Sequence, residues 1–155
     1  MKVLAVDPGR VTGYAYGAFS EGHLYFAPYQ QLDDVEEFWD RIDRYKPSHL
    51  VVEDFQFRKG AARGGLDLFP MALIGVAQLY SIKRNIGLTM QQPAQGKGYY
   101  TDVMLKRLGL YLRGTEHGRD ATRHLLQWTT FGPGYKYVGK ENKWAHLIGV
   151  EAFIG

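Results

Sequence analysis

Two short apolar runs, each closed by a carboxylate, constrain this chain more than any other feature. The first, Lys2-Val-Leu-Ala-Val6, ends in Asp7 and a Pro-Gly pair; the second, His49-Leu-Val-Val, ends in Glu53-Asp54. Apolar runs this brief, bounded by turn signals, read as buried strands rather than helices. Between them, Val11 to Phe19 and His23 to Tyr29 read as two more strands around the turn Ser20-Glu21-Gly22. Val35, Phe38, Trp39, Ile42 and Tyr45 then recur at helical spacing, with Asp33 and Asp34 as capping residues and Pro47 as the stop. A crossover from one strand through a helix to a parallel strand is right-handed, which sets the first and fourth strands side by side. Asp7 and Glu53 should therefore meet at the carboxyl edge of the sheet, where open α/β sheets place their sites.

The remaining pattern completes an α/β domain. A basic, glycine-bearing loop over 55–65 leads into a long apolar segment, Leu66 to Arg84, that reads as a largely buried helix with Pro70 in its first turn. Ile86 to Gln91 reads as a last strand, Thr101 to Tyr111 as a helix and His117 to Trp128 as an amphipathic helix. The expected order is βββαβαβαα, a central mixed five-stranded sheet flanked by helices. A chain of 155 residues with 45% hydrophobic content suits one domain over 1–155, with 132–155 left unassigned.

Composition excludes several chemistries. With no cysteine, disulfides, thiolate-zinc sites and thiol nucleophiles are all ruled out, and a cytoplasmic location is expected. No stretch approaches the roughly 18 apolar residues of a membrane span. Gly96-Lys97 resembles the end of a phosphate loop, but Gln91 stands where its first glycine belongs and no Ser or Thr follows the lysine, so no nucleotide cofactor is expected. The net charge of +3 is modest. Its distribution says more: acids crowd into DDVEEFWDRID, and bases gather in FRKGAARGG, SIKRN and the tail.

A carboxylate closing a buried strand is costly unless it is paired or binds a cation. Asp-Pro-Gly is also a good turn, and Glu53-Asp54 alone would mark only the wet end of a strand. A third segment shifts the balance. His117-Gly-Arg-Asp120-Ala-Thr-Arg-His124 places residues 117, 120 and 124 on one helix face, which continues apolar through Ala121, Leu125 and Trp128 and so turns His117 and Asp120 toward the sheet. Three carboxylates and an imidazole suit two hard divalent cations. His124, one turn beyond Asp120, is expected to make a structural hydrogen bond.

In order and spacing, DPGRVTGYA, LVVED, QQPAQGK and HGRDA resemble the RuvC-like Holliday junction resolvases, dimeric endonucleases of RNase H-like fold found in bacteria and some bacteriophages. The resemblance runs from residue 1 to about 130. It implies that Asp7, Glu53 and Asp120 hold two Mg²⁺ or Mn²⁺ ions, that His117 either ligates a metal or positions the attacking water, and that Lys97 contacts substrate phosphates. It further implies DNA contacts from Arg58, Lys59 and Arg63 to phosphates, and stacking at the junction by Phe55 or Phe57. The implied activity is paired phosphodiester hydrolysis of four-way DNA junctions by a homodimer, with Leu66 to Arg84 in the interface. Two other readings stay open: an RNase H-like nuclease acting on RNA-DNA hybrid or structured RNA, and a non-catalytic branched-DNA-binding protein.

Overall fold

The computed structural model describes residues 1–20, 23–55 and 67–134. Strands β1 (Lys2–Asp7), β2 (Val11–Ser20) and β3 (His23–Leu32) lead through helix α1 (Val35–Tyr45) to β4 (His49–Glu53). Helix α2 (Phe69–Arg84), strand β5 (Gly87–Gln91) and helices α3 (Pro93–Tyr99), α4 (Asp102–Arg107) and α5 (Glu116–Phe131) follow. The five strands form one sheet in the order β3-β2-β1-β4-β5. β1, β2 and β3 pair antiparallel, whereas β1, β4 and β5 run parallel. The expected mixed sheet and its parallel β1–β4 pair are both present. Among the described residues, no helix is long and apolar enough to cross a membrane.

Alternation along the strands sorts the core into two layers and aims the acids. On β1, Leu4 and Val6 enter the core shared with α1 and α2, while Val3 and Ala5 enter the one beneath α5. Asp7, two residues beyond Ala5, falls on the α5 face by the period of two. β4 repeats the pattern: Leu50 and Val52 face α1 and α2, Val51 faces α5, and Glu53 follows Val51 to that side. The register pairs Val6 with Val52, so the two carboxylates leave the sheet side by side.

Three local expectations are corrected. Only Asp34 caps α1, accepting from the Glu37 amide at 2.8 Å while Glu37 reaches back to the Asp34 amide. Asp33 is buried instead, accepting from the Tyr14 hydroxyl and the Gln31 side chain beside Arg41. The segment expected to be a largely buried helix starts at Phe69 and buries one side only: Leu73, Ala77 and Tyr80 face the sheet, while Met71, Leu79 and Ile82 lie exposed with Leu68 just before them. Its apolar character runs all round the helix, which hides from the sequence which face is covered. Finally, the helix expected over 101–111 is only α4, capped by Thr101, and an extra helix, α3, precedes it with Pro93 in its first turn.

The two adjacent aspartates should separate in energetic terms. Asp33→Ala, which strips a buried acceptor from Tyr14 and Arg41, is expected to cost about 3 kcal/mol, and Asp34→Ala about 1 kcal/mol. Urea unfolding of both variants measures this, and equal losses would contradict the assignment.

Candidate active site

The site is built where the ends of β1 and β4 meet the first two turns of α5. Asp7 and Asp120 are both buried, at 8% and 5% exposure, and Glu53 is half-buried between the sheet and α5. The approach of α5 depends on two glycines. Gly13, registered opposite Asp7 on β2, lies against the α5 backbone so closely that a Cβ there would overlap the His117 carbonyl. In turn, a Cβ on Gly118 would sit 2.9 Å from the Tyr29 carbonyl oxygen of β3. Backbone packs on backbone at this corner, and His117 is thereby held over Asp7.

The first turn of α5 gets its hydrogen-bond acceptor from the sheet. Thr115, at the cap position, makes no side-chain capping bond. Instead Gln30 of β3 accepts from the His117 amide at 3.1 Å and donates to the Gly114 carbonyl at 3.0 Å. One of the free N–H groups at the helix start is thus satisfied by a neighbouring strand. This places the helix axially as the glycines place it in depth.

Each carboxylate has a basic partner. His117 Nδ1 donates to Asp7 Oδ2 at 2.9 Å, and His124 Nε2 donates to Glu53 Oε2 at 2.6 Å. Lys97 Nζ lies 2.9 Å from Asp120 Oδ2, while Arg123 bonds the other Asp120 oxygen, Asp102 and the Tyr100 carbonyl. Burial pushes the Asp7 pKa up, the His117 bond opposes this, and the negative charges of Glu53 and Asp120 push it further; the net direction is up. The bond to Asp7 raises the His117 pKa against the opposing effect of burial. For Lys97, burial disfavours the charge, but the Asp120 bond and the field of all three acids outweigh it and raise the pKa.

The donor set fits a hard divalent cation. Three carboxylates lie close enough for Asp7 to feel both of the others, and oxygen donors with one imidazole match Mg²⁺ or Mn²⁺ chemistry. Among the described residues, no three acidic or histidine side chains are drawn together as a ready metal cage. The protein's own cations, Lys97 and Arg123 above all, neutralise the acids in this arrangement.

Of the residues expected from the sequence, Asp7, Glu53, His117, Asp120 and Lys97 come together. Phe55 is half-buried just past the end of β4. Phe57, Arg58, Lys59, Arg63 and the tail from Tyr135 lie outside the described residues. An open cleft of about 310 Å³, bordered by Lys97, Thr101, Arg119 and Arg123, leads to Asp120. Sequence reasoning missed Gln30, Gln91 and Arg123 and assigned His124 no role beyond a structural bond. For His124 and Arg123 the signal was present, since both follow Asp120 on α5 within about one turn. For Gln30 and Gln91 there was none, because only strand pairing brings them to the site.

Two outcomes follow from the packing and the charges. Gly13→Ala should cost about 3 kcal/mol in urea unfolding, because the clash is with backbone that cannot rotate away; a neutral substitution would refute the close approach. Asp7, with its folded pKa raised, contributes stability that is present below about pH 4 and is lost as pH rises through the folded value. Asp7→Asn should therefore melt above the unaltered protein at pH 7 in EDTA, with the gap closing under acid; an equal or lower Tm at pH 7 would contradict this.

No protein-family model and no curated protein matches the sequence. Solved structures do match the fold. The RuvC structure from Thermus thermophilus aligns at 16% identity over 82% of this chain and 92% of its own, with a TM-score of 0.59. T. thermophilus RuvC in complex with Holliday junction substrate aligns at 15% identity over 85% and 97%, with a TM-score of 0.62. The fowlpox virus Holliday junction resolvase aligns at 14% identity over 83% and 97%, with a TM-score of 0.55. The chain is thus built on the RNase H-like architecture that these junction resolvases share.

Proposed function

We propose that the protein is a divalent-metal-dependent endonuclease that cleaves four-way DNA junctions by paired phosphodiester hydrolysis. The observation that carries this reading is the convergence of Asp7, Glu53 and Asp120, with His117 and Lys97 beside them, at one edge of a sheet whose fold a junction-bound RuvC shares. Asp7, Glu53, Asp120 and His117 would hold Mg²⁺ or Mn²⁺, which supplies Lewis acidity toward the phosphodiester and the attacking water.

The other work falls to the chain's own groups. With Nδ1 bonded to Asp7, the neutral His117 ring keeps a lone pair on Nε2, which serves either as the metal ligand or to orient the attacking water. Lys97, more than half exposed at the mouth of the cleft, would meet a phosphate oxygen. Arg123 is buried and triply bonded, so its role is to hold Asp120 rather than substrate. Pairing of the two cuts calls for a homodimer. The exposed stripe of Met71, Leu79 and Ile82 on α2, continued by Leu68 just before it, supports one, because an apolar helix face left in water favours association.

The test is an end-labelled four-way junction and a matched linear duplex, each incubated with Mg²⁺, Mn²⁺ or EDTA. Symmetric nicks in the junction alone are expected in either metal and none in EDTA, with Mn²⁺ at least as effective as Mg²⁺ because of the imidazole nitrogen. Asp7→Asn should abolish cutting and leave junction binding in place. The double variant Leu79→Glu, Ile82→Glu should run as a monomer by light scattering and lose paired nicking. Binding without cleavage in both metals would overturn the nuclease reading, and cuts that require ribonucleotides would transfer it to RNA-containing substrates.

A further inference from the structure

His124 is a buried titratable group for which the proposed chemistry has no use. It sits on α5 one turn past Asp120, with 1% of its surface exposed. Both ring nitrogens are engaged: Nε2 donates to Glu53 Oε2 at 2.6 Å, and Nδ1 lies 2.7 Å from the Gln91 side-chain amide oxygen. Glu53 and Gln91 are register partners at the adjoining ends of β4 and β5. One imidazole therefore ties α5 to two parallel strands at the edge where the acids gather.

The ring is also confined from above. Gly96 of α3 lies over it, and a Cβ at that position would stand 3.3 Å from Cε1 and 3.4 Å from Nδ1. The Gly96-Lys97 pair, which looked like a fragment of a phosphate loop, thus has two different duties. The glycine lets α3 close on the histidine, and the lysine reaches Asp120.

Glu53 needs such a partner more than the other acids do. Its side chain has one more rotatable bond than an aspartate, and it projects from the last residue of a strand. Among the described residues, His124 is the one side chain that hydrogen-bonds it. Asp7 and Asp120, by contrast, are short and buried. A ligand whose orientation is not held loses entropy on every binding event, and groups that fix metal-binding carboxylates typically contribute 10–100-fold in affinity.

We propose that His124, anchored by Gln91 and roofed by Gly96, is a positioning residue that aims the Glu53 carboxylate at the bound cation. It commits Oε2 to the imidazole and leaves Oε1 for the ion. The proposal rests on the metal-dependent reading above, and it is not a ligand assignment, because Nε2 is spent on Glu53.

The test compares Mn²⁺ binding to the full chain without DNA, by calorimetry, for the unaltered protein, His124→Gln, His124→Asn and Gln91→Leu, with urea stability measured alongside. A glutamine amide nitrogen reaches about as far as Nε2 and keeps the bond to Glu53; an asparagine reaches only the Nδ1 position and keeps the bond to Gln91. His124→Asn is expected to weaken Mn²⁺ binding about 10–100-fold, and His124→Gln to restore it to within a few-fold even where the two lose similar stability. Gln91→Leu, which leaves the histidine in place but removes its anchor, should weaken binding in the same direction and serves if His124→Asn does not fold. Binding by both histidine variants as in the unaltered protein, or losses that merely follow stability, would overturn the proposal while leaving the nuclease reading intact. Absence of Mn²⁺ binding to the unaltered protein would overturn the metal-dependent reading first and this proposal with it.

Discussion

The contact of backbone on backbone between β2 and the start of α5 governs the rest of the site. Gly13 carries no Cβ, so the His117 carbonyl can lie directly against the strand, and Gly118 repeats the arrangement against Tyr29 of β3. Any side chain at either glycine would lift the helix by the width of a methyl group or more. The bond between His117 and Asp7 and the approach of Asp120 to Lys97 would then stretch together, since His117 and Asp120 hang from the same helix. The Thr-Gly of the opening motif and the His-Gly of the last helix are thus two halves of one steric requirement.

On this frame rests a second, electrostatic constraint. Gathering three carboxylates at a half-buried edge opposes folding, because each is partly desolvated and each repels the others. The protein answers with a ring of bases: His117, His124, Lys97 and Arg123 each meet an acid. Two of these partners are buried in the helix and hold their acids in position. The other two are at least two-fifths exposed and can turn toward solvent or a substrate. In the proposed nuclease such a site would trade stability for function, since charges that would be favourable apart are held together.

Much of the architecture was legible because it rests on periodicity. The right-handed crossover set Asp7 and Glu53 at neighbouring strand ends, and helical spacing turned His117 and Asp120 toward them, so those four residues and the mixed sheet could be read in advance. The errors have physical causes. Helix α2 is apolar on every side, so nothing in the pattern told its covered face from its exposed one. Helix α3 is short and begins at a proline after two glutamines, with little periodicity to announce it. Asp33 and Asp34 are indistinguishable as neighbours in the chain, yet one enters the core with Tyr14 and the other caps a helix.

The sequence by itself determined which residues bear charge at the ends of buried elements and which helix face turns inward, because both follow from local periodicity and from the cost of burying an unpaired carboxylate. Tertiary structure alone decided the partners. Gln30 and Gln91 reach the site through strand register, and Gly96 and Gly13 matter only because another backbone or ring lies against them. His124 became the anchor of Glu53 through a contact between residues 71 positions apart. Such pairings depend on how closely elements pack, and packing distance leaves no period in a linear chain.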